Sequence, residues 1–415
     1  MGAMLKTPFR AGAVLAREGG KELFFLDALS TWIWEGHEAG MEIFELAEAL
    51  AGRFDLSPSE ALADVRRILE ALDTRMGGLA DRLSAPVLSE VEGSALQERG
   101  RAEPAFRVPP ERGPEGETSW NLTVGGRSVS VSIVDAKLAE AAGPLLAHLE
   151  ALPVRSLPEH GIRLNGAATS WSLWVDGRDV AAGRTAEDAS LHLMDALMGI
   201  AERPEERLLS LHAGGVVMPG GSGAVLVGAG GAGKTTLSAA LNAEGFPLLS
   251  DDVVPVTPEG TLVGLRLCLT VKEGSWDVLE SRFPELKAGG IVYRCGQATR
   301  YLPPRNPPIA GPVPLGLFLF PEFRPHSSCA TTALPPEEIL KRIAASNSVI
   351  PDLSQSRLDA LVSWVSSAPG YSLVYPDLES GVALARECFD IAARNRAGRS
   401  ESPVREMQGW TAPET

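Results

Sequence analysis

The sequence is short of basic charge: 38 Lys and Arg face 53 Asp and Glu, for a net charge of −15. General binding to nucleic acid or to an anionic membrane is disfavoured, since both would repel the chain. Cysteine is scarce as well. Cys268, Cys295, Cys329 and Cys388 stand far apart and irregularly, unlike a zinc site or a disulfide framework, and read as reduced structural thiols. No apolar run is long enough to span a bilayer, and the opening MGAMLKTPFRAGAV lacks the apolar stretch of a signal peptide. These absences lead us to expect a cytoplasmic protein with neither nucleic acid nor membrane as partner, and they leave homo-oligomer formation open.

What is present is ordinary globular material, 44% hydrophobic and 22% charged over 415 residues. That length exceeds one hydrophobic core, so two or three domains are expected. Residues 1–83 read as a small α+β unit. The apolar runs Ala13–Ala16 and Leu23–Leu26 flank Glu18-Gly19-Gly20-Lys21, a hairpin signal. Three helical patterns follow, over about Ala28–Glu38, Met41–Arg53 and from Ser57 onward. The last has Ser57 as N-cap, Pro58 at its first position and Glu60 to close a capping box. A hairpin followed by three short helices predicts a winged-helix-like module.

Residues 84–117 contain Pro109-Pro110 and Gly113-Pro114 and read as an exposed linker. Residues 118–210 alternate strand-like segments (Ser128–Ile133, Trp171–Val175) with helical ones (Ala136–Ala151, Ala186–Ile200) and form a subdomain ahead of a core over 211–395. Residues 396–415 read as a flexible tail.

The chemistry concentrates in that core. The strand-like Ala224–Val227 runs into Gly228-Ala229-Gly230-Gly231-Ala232-Gly233-Lys234-Thr235-Thr236, and a helical pattern follows. This is G-x-x-x-x-G-K-[ST] with a strand before it and a helix after it. Glycines let successive N–H groups face one phosphate, and the helix N-terminus adds favourable dipole charge. Lys234 would reach the β- and γ-phosphates of ATP, and the Thr235 hydroxyl would bind Mg²⁺. The same residues also spell the dinucleotide fingerprint G-x-G-x-x-G, with Asp251 near the position of a ribose-binding acid. Lys234-Thr235-Thr236 has no use in a dinucleotide loop, and the acid is doubled as Asp251-Asp252. Both features favour a nucleoside triphosphate with its metal.

After the helix, Phe246–Leu249 reads as a short strand that delivers Asp251 and Asp252 beside the phosphates. One carboxylate can hold Mg²⁺ while the other accepts a proton from an attacking hydroxyl; spacing does not say which does which. His212 opens Leu-His-Ala-Gly-Gly ahead of the loop, and a lone His beside a strand is more often structural.

His212, Gly228–Thr235 and Ser250-Asp251-Asp252, in this order and spacing, resemble the catalytic core of bacterial HPr kinase/phosphorylase. They resemble still more closely the HPr-kinase-related kinases of peptide-modification gene clusters. The resemblance covers about residues 118–390. It implies an α/β P-loop kinase core of the HPr kinase / PEP-carboxykinase-like kind, with His212, Lys234, Thr235, Asp251 and Asp252 at the reaction centre. Lys272-Glu273-Gly274-Ser275-Trp276 and Thr299–Pro304 look like elements of the same kinases, and Arg300 is their candidate for charge stabilisation, against a plain surface cation. The second signature of HPr kinase/phosphorylase is not recognisable, so the resemblance does not extend to phosphorylase activity or to HPr as the preferred substrate.

Residues 4–83 resemble PqqD and the recognition elements that bind leader peptides of ribosomally made, modified peptides. The resemblance implies that a peptide adds as a strand to a sheet edge and lies on a helix. Leu23, Phe24, Phe25 and Leu26, with Arg66 and Leu69 of the third helix, are the candidate contacts, although the apolar ones suit a core equally.

The combined expectation is an ATP- and Mg²⁺-dependent kinase that phosphorylates a Ser or Thr hydroxyl of a precursor peptide held through its leader. The alternatives are a kinase acting on a protein such as HPr or on a small hydroxyl metabolite, and a nucleotide-dependent peptide-binding chaperone.

Overall fold

A computed structural model describes residues 3–10, 12–54, 56–76, 117–151, 157–294, 296–306 and 311–400. The linker expected over 84–117 (apart from Glu117), Cys295 and residues 401–415 of the expected tail lie outside the described residues, whereas 396–400 of that tail are helical, the end of a helix that begins at Leu378. Among the described residues, no helix is long and apolar enough to cross a membrane. The chain divides into two compact units, Met4–Ala16 with Glu22–Arg112, and the remainder.

The smaller unit is α+β. Strands β1 (Met4–Phe9), β2 (Gly12–Arg17) and β3 (Leu23–Leu26) form a sheet in that order, followed by helices α1 (Ala28–Glu38), α2 (Ile43–Phe54) and α3 (Pro58–Met76). The hairpin pairs Ala13 with Leu26 and Ala16 with Leu23. It gains a third strand that the sequence reading lacked, because Leu5, Thr7 and Phe9 alternate inward and so satisfy the two-residue period of a half-buried strand. Asp27 caps α1 by accepting from Ser30 N–H at 2.7 Å. At α3 the capping box is reciprocal: Ser57 N–H donates to Glu60 Oε2 at 3.1 Å, and Glu60 N–H donates to Ser57 Oγ at 3.3 Å. Each such cap is worth about 1 kcal/mol. Ile33, Leu46, Leu50, Val65 and Leu69 close the core.

The larger unit is mixed α/β with several sheets. It opens with β4 (Thr118–Val124), β5 (Arg127–Ile133), α4 (Ala136–Leu146), β6 (Glu150–Ala151), β7 (His160–Ala167), β8 (Ser170–Val175), β9 (Arg178–Gly183) and α5 (Ala186–Glu202). The strands form one sheet in the order β6-β4-β5-β7-β8-β9. The helix expected over Ala136–Ala151 stops at Leu146, and Glu150 and Ala151 turn back to pair with β4.

Next come β10 (Leu209–Leu211), β11 (Ala213–Val217), β12 (Gly223–Val227), α6 (Lys234–Ala243), β13 (Leu248–Ser250), β14 (Val254–Val256), β15 (Thr261–Val263) and β16 (Leu269–Lys272). They are followed by α7 (Trp276–Glu280), β17 (Val292–Arg294), β18 (Gln297–Leu302), β19 (Pro312–Phe323), β20 (Ala330–Leu334), α8 (Pro336–Ala344), α9 (Gln355–Ser366), β21 (Gly370–Tyr375) and α10 (Leu378–Ser400). The nine-stranded sheet runs β10-β14-β15-β19-β12-β11-β13, with β21 also on β19 and β20 on β21. Strand β12 lies inside this sheet, parallel to β19 and antiparallel to β11. Every residue of Gly-Ala-Val-Leu-Val is buried there, which is why the run is continuously small or apolar rather than alternating. Its C-terminal end delivers the glycine-rich loop. A separate small sheet, β16-β18-β17, faces that loop through its connections.

Candidate functional site

The loop Gly228–Gly233 joins β12 to α6. Gly231 and Gly233 have φ of 82° and 91°, a left-handed backbone that glycine adopts at no steric cost. At Gly233 a Cβ would also lie 3.0 Å from Tyr375 Oη. The N–H groups of the first turn of α6 have no intrahelical acceptor and, with the helix dipole, favour an anion at this end. Lys234 is buried at 8% exposure, and its Nζ donates to Gly228 O at 2.8 Å and Ala229 O at 3.1 Å. Its ammonium is thus held against the loop. Burial lowers its pKa, and Asp251 and Asp252 oppose that shift.

Thr235, one residue on, donates through Oγ1 to Asp251 Oδ1 at 3.0 Å. Asp251 is 3% exposed, and Thr270 N–H donates to its Oδ2 at 2.9 Å. Burial first and Asp252 second push the Asp251 carboxyl up to about 6, against the pull of its hydrogen bonds. Asp252 stands at the centre of a three-residue turn that Val253 N–H closes onto Asp251 O at 2.8 Å, with φ of 69°. Turns of this hand are uncommon and strained. The Asp252 carbonyl accepts from Ala213 N–H at 3.2 Å and from His212 Nδ1 at 3.1 Å. Its carboxylate is ion-paired with Arg294.

His212 interrupts the strands β10 and β11. Because Nδ1 donates to a carbonyl, the neutral ring presents Nε2 as an acceptor. Burial, then Lys234, lowers the His212 pKa, partly offset by Asp252, so the neutral form is favoured. Two residues on, Gly214 permits the close packing of β11 on α6: a Cβ there would lie 2.3 Å from Ser238 Oγ and 3.6 Å from Asp251 Oδ1.

His212, Lys234, Thr235, Asp251 and Asp252 therefore converge on one site, although they come from different strands, turns and a helix. Arg300 does not join them. Its guanidinium lies over the Trp276 ring, 4.0 Å from Cζ to centroid. The arginine on the acidic pair is Arg294, from the neighbouring strand of the same hairpin. Nothing in the sequence singled out Arg294, because its pairing depends on how β17 folds back rather than on spacing.

A cavity of about 950 Å³ opens beside the loop. Gly231, Gly233 and Thr236 line it from the loop and α6, Lys272 to Ser275 from the segment after β16, and Phe323 with Tyr375 to Glu379 from the ends of β19 and β21. Thr236 Oγ1 and Ser275 Oγ are 2.6 Å apart and tie α6 to the second wall. Lys272 adds positive charge felt by both Lys234 and His212. Among the described residues, no group of three or more His, Cys, Asp or Glu is placed to hold a metal. Thr235 with one or two carboxylates is an incomplete ligand set that phosphate oxygens and waters can complete, as hard Mg²⁺ sites commonly require.

Of the described cysteines, Cys268 and Cys388 are buried and Cys329 is exposed, all as free thiols. Burial raises the first two, Cys388 to about 12, so neither is a nucleophile at neutral pH.

In the smaller unit, β3 pairs with β2 on one side and stands at the edge of its sheet. Leu23, Phe24 and Phe25 are half-buried on it, whereas Leu26 and Leu69 lie in the core. Arg66 is exposed on α3, its guanidinium 6.0 Å from the centroid of the exposed Phe44 ring.

Comparison with known families identifies this unit. Residues 12–76 match the family model described as Coenzyme PQQ synthesis protein D (PqqD). The chain thus carries a PqqD domain at its N-terminal end, and that domain suggests a setting of ribosomal precursor-peptide modification. No curated protein matches the chain significantly.

Proposed function

We propose that the larger unit is an ATP-dependent kinase related to the HPr kinases and that the PqqD domain presents its peptide substrate. The observation that carries this reading is the convergence of Lys234, Thr235, Asp251 and Asp252 around a glycine-rich helix N-terminus, in one chain with a PqqD domain. Loop N–H groups and Lys234 suit the β- and γ-phosphates, and the aromatic rings of Phe323 and Tyr375 in the cavity lining suit the base. Thr235 and Asp251 would hold Mg²⁺, which would offset charge on the transferring phosphoryl group.

Asp251 is sequestered by Thr235 and Thr270, so the proton-accepting role falls to Asp252, which is half-exposed and oriented by its turn and by Arg294. In the step, a Ser or Thr hydroxyl oxygen of the peptide forms a bond to the γ-phosphorus. The bond from that phosphorus to the β,γ-bridging oxygen breaks, ADP leaves, and the hydroxyl proton passes to Asp252. His212, neutral and with Nε2 free to accept, can orient the hydroxyl.

The edge strand β3 offers main-chain groups to an added peptide strand. Holding the leader there raises the effective concentration of the acceptor at the remote site. The test is transfer of label from γ-labelled ATP, with Mg²⁺, to a serine-containing precursor peptide. Labelled peptide supports the reading. ATP consumption without labelled peptide would instead favour a nucleotide-dependent chaperone.

A further inference from the structure

A second cavity of the larger unit, about 590 Å³ in volume, lies along α5. His192, Asp195, Ala196 and Gly199 of that helix line it, and their three- and four-residue spacing places them on one helical face. Val175 and Val180 form an apolar opposite wall, and Glu205 stands at one end. Val180 is 53% exposed.

Three features set this groove apart from an ordinary surface depression. The first is its connection to the reaction centre: Asp195 is paired at 3.6 Å with Arg294, and Arg294 is paired with Asp252. One arginine therefore bridges the groove lining and the carboxylate to which we assign the acceptor proton. The second is charge. His160 donates to Asp176 at 2.8 Å and accepts from Arg203 at 2.8 Å, and Arg203 in turn pairs with Glu206. That network spends its charges internally, whereas Arg294 alone faces both Asp195 and Asp252, so those three groups keep one net negative charge, and the exposed Glu205 adds a second at the end of the groove. The third is Gly199, exposed in the interior of α5, where an added Cβ would meet nothing within 4 Å. Helix packing does not require glycine at that position, and it costs roughly 0.5–1 kcal/mol relative to alanine. Close approach of another chain over the helix would account for it.

We infer that this groove seats the acceptor segment of the peptide, and that it selects a lysine or arginine near the hydroxyl that is phosphorylated. The inference rests on the kinase reading above and adds to it a path of approach and a sequence preference. The basic side chain meets Asp195 and Glu205, the apolar wall takes a neighbouring residue, and the hydroxyl is directed past Arg294 to Asp252.

Two synthetic pools of serine peptides test it, one with Lys or Arg flanking the serine and one with Glu or Asp, each offered at high concentration without a leader. The unaltered chain should phosphorylate the basic pool at least about fivefold faster. Gly199→Trp, which fills the groove from an open helical position, should raise KM for the basic pool about tenfold and leave KM for ATP unchanged. Gly199→Ala should raise that KM less than Gly199→Trp does, and an unchanged helical circular dichroism spectrum with an unchanged KM for ATP shows that both variants fold. Glu205→Lys should erode the basic preference. Equal labelling of the two pools, or an unchanged peptide KM in Gly199→Trp, overturns the groove while the kinase reading stands. Labelling of neither pool by the unaltered chain, together with an unlabelled full precursor, overturns both.

Discussion

The Thr235 hydroxyl donates to the buried carboxylate of Asp251 at 3.0 Å. This bond joins the start of α6 to the turn after β13, so the second residue of the helix also fixes the acid beside the glycine-rich loop. Burial dominates the Asp251 environment and raises its pKa from 3.8 to about 6. A carboxyl whose folded pKa is raised binds its proton more tightly in the folded state. Its contribution to stability is complete below the unfolded value and is lost as pH rises through about 6. With nucleotide and metal removed, the stability advantage of the unaltered chain over Asp251→Asn should shrink between about pH 4 and about pH 8, by up to ~3 kcal/mol. Denaturant unfolding at both pH values measures it; an advantage that grows with pH would contradict the burial argument.

Arg294 is a positioning residue for Asp252. Replacing it with Met should lower kcat by roughly tenfold to a hundredfold with little change in KM for ATP, because the carboxylate loses its orientation while the cavity beside the glycine-rich loop is untouched. Arg294→Lys should restore part of the loss. Arg300→Met, which removes only a guanidinium stacked on Trp276, should affect stability more than turnover. Steady-state kinetics on the three variants separates the two arginines.

Gly214 tests the packing under the site. Its Cβ position is occupied by Ser238 Oγ, and that oxygen is buried without a hydrogen-bond partner. Gly214→Ala should destabilise the fold by about 1–3 kcal/mol through overpacking. Ser238→Ala alone should be nearly neutral, and the double variant should recover much of the loss. A thermodynamic cycle from chemical denaturation gives the coupling, and strict additivity would show that the close approach is not what demands glycine.

Removal of the PqqD domain should cripple phosphorylation of a full precursor at low peptide concentration and leave ATP binding largely unchanged. Raising the peptide concentration should rescue that loss, since only effective concentration is missing, whereas no concentration should rescue Lys234→Ala. Steady-state rates over a peptide titration, alongside calorimetry with ATP, decide it.

Much of this was legible locally. Ser57, Pro58 and Glu60 announced α3, and the glycine-rich run with Lys234 announced a strand–loop–helix, because caps and positive-φ turns are written in consecutive residues. The hairpin was legible for the same reason, but β1 escaped because Thr7, the middle one of its three inward residues, is polar and Pro8 interrupts the run. The acidic pair was marked by its doubling and its place after the glycine-rich run, whereas His212 could be selected only through a family resemblance, since 40 residues part it from the Asp252 carbonyl that it bonds. Arg294 was illegible. It lies on a short strand whose pairing with β18 turns Arg294 toward Asp252 and leaves Arg300 on Trp276, an outcome that depends on which face each strand presents. Leu26 and Leu69 show the same limit from the other side, since an apolar residue beside a sheet edge is read equally as groove or as core, and both are core.

Phosphoryl transfer to a peptide leaves a change of mass that can be read directly. The most direct measurement is the intact mass of a serine- or threonine-containing precursor peptide that the PqqD domain binds, after incubation with ATP and Mg²⁺. The account predicts a mass gain of one phosphoryl group with the unaltered chain and none with Lys234→Ala. An unmodified peptide in both reactions, or an equal gain with Lys234→Ala, would contradict it.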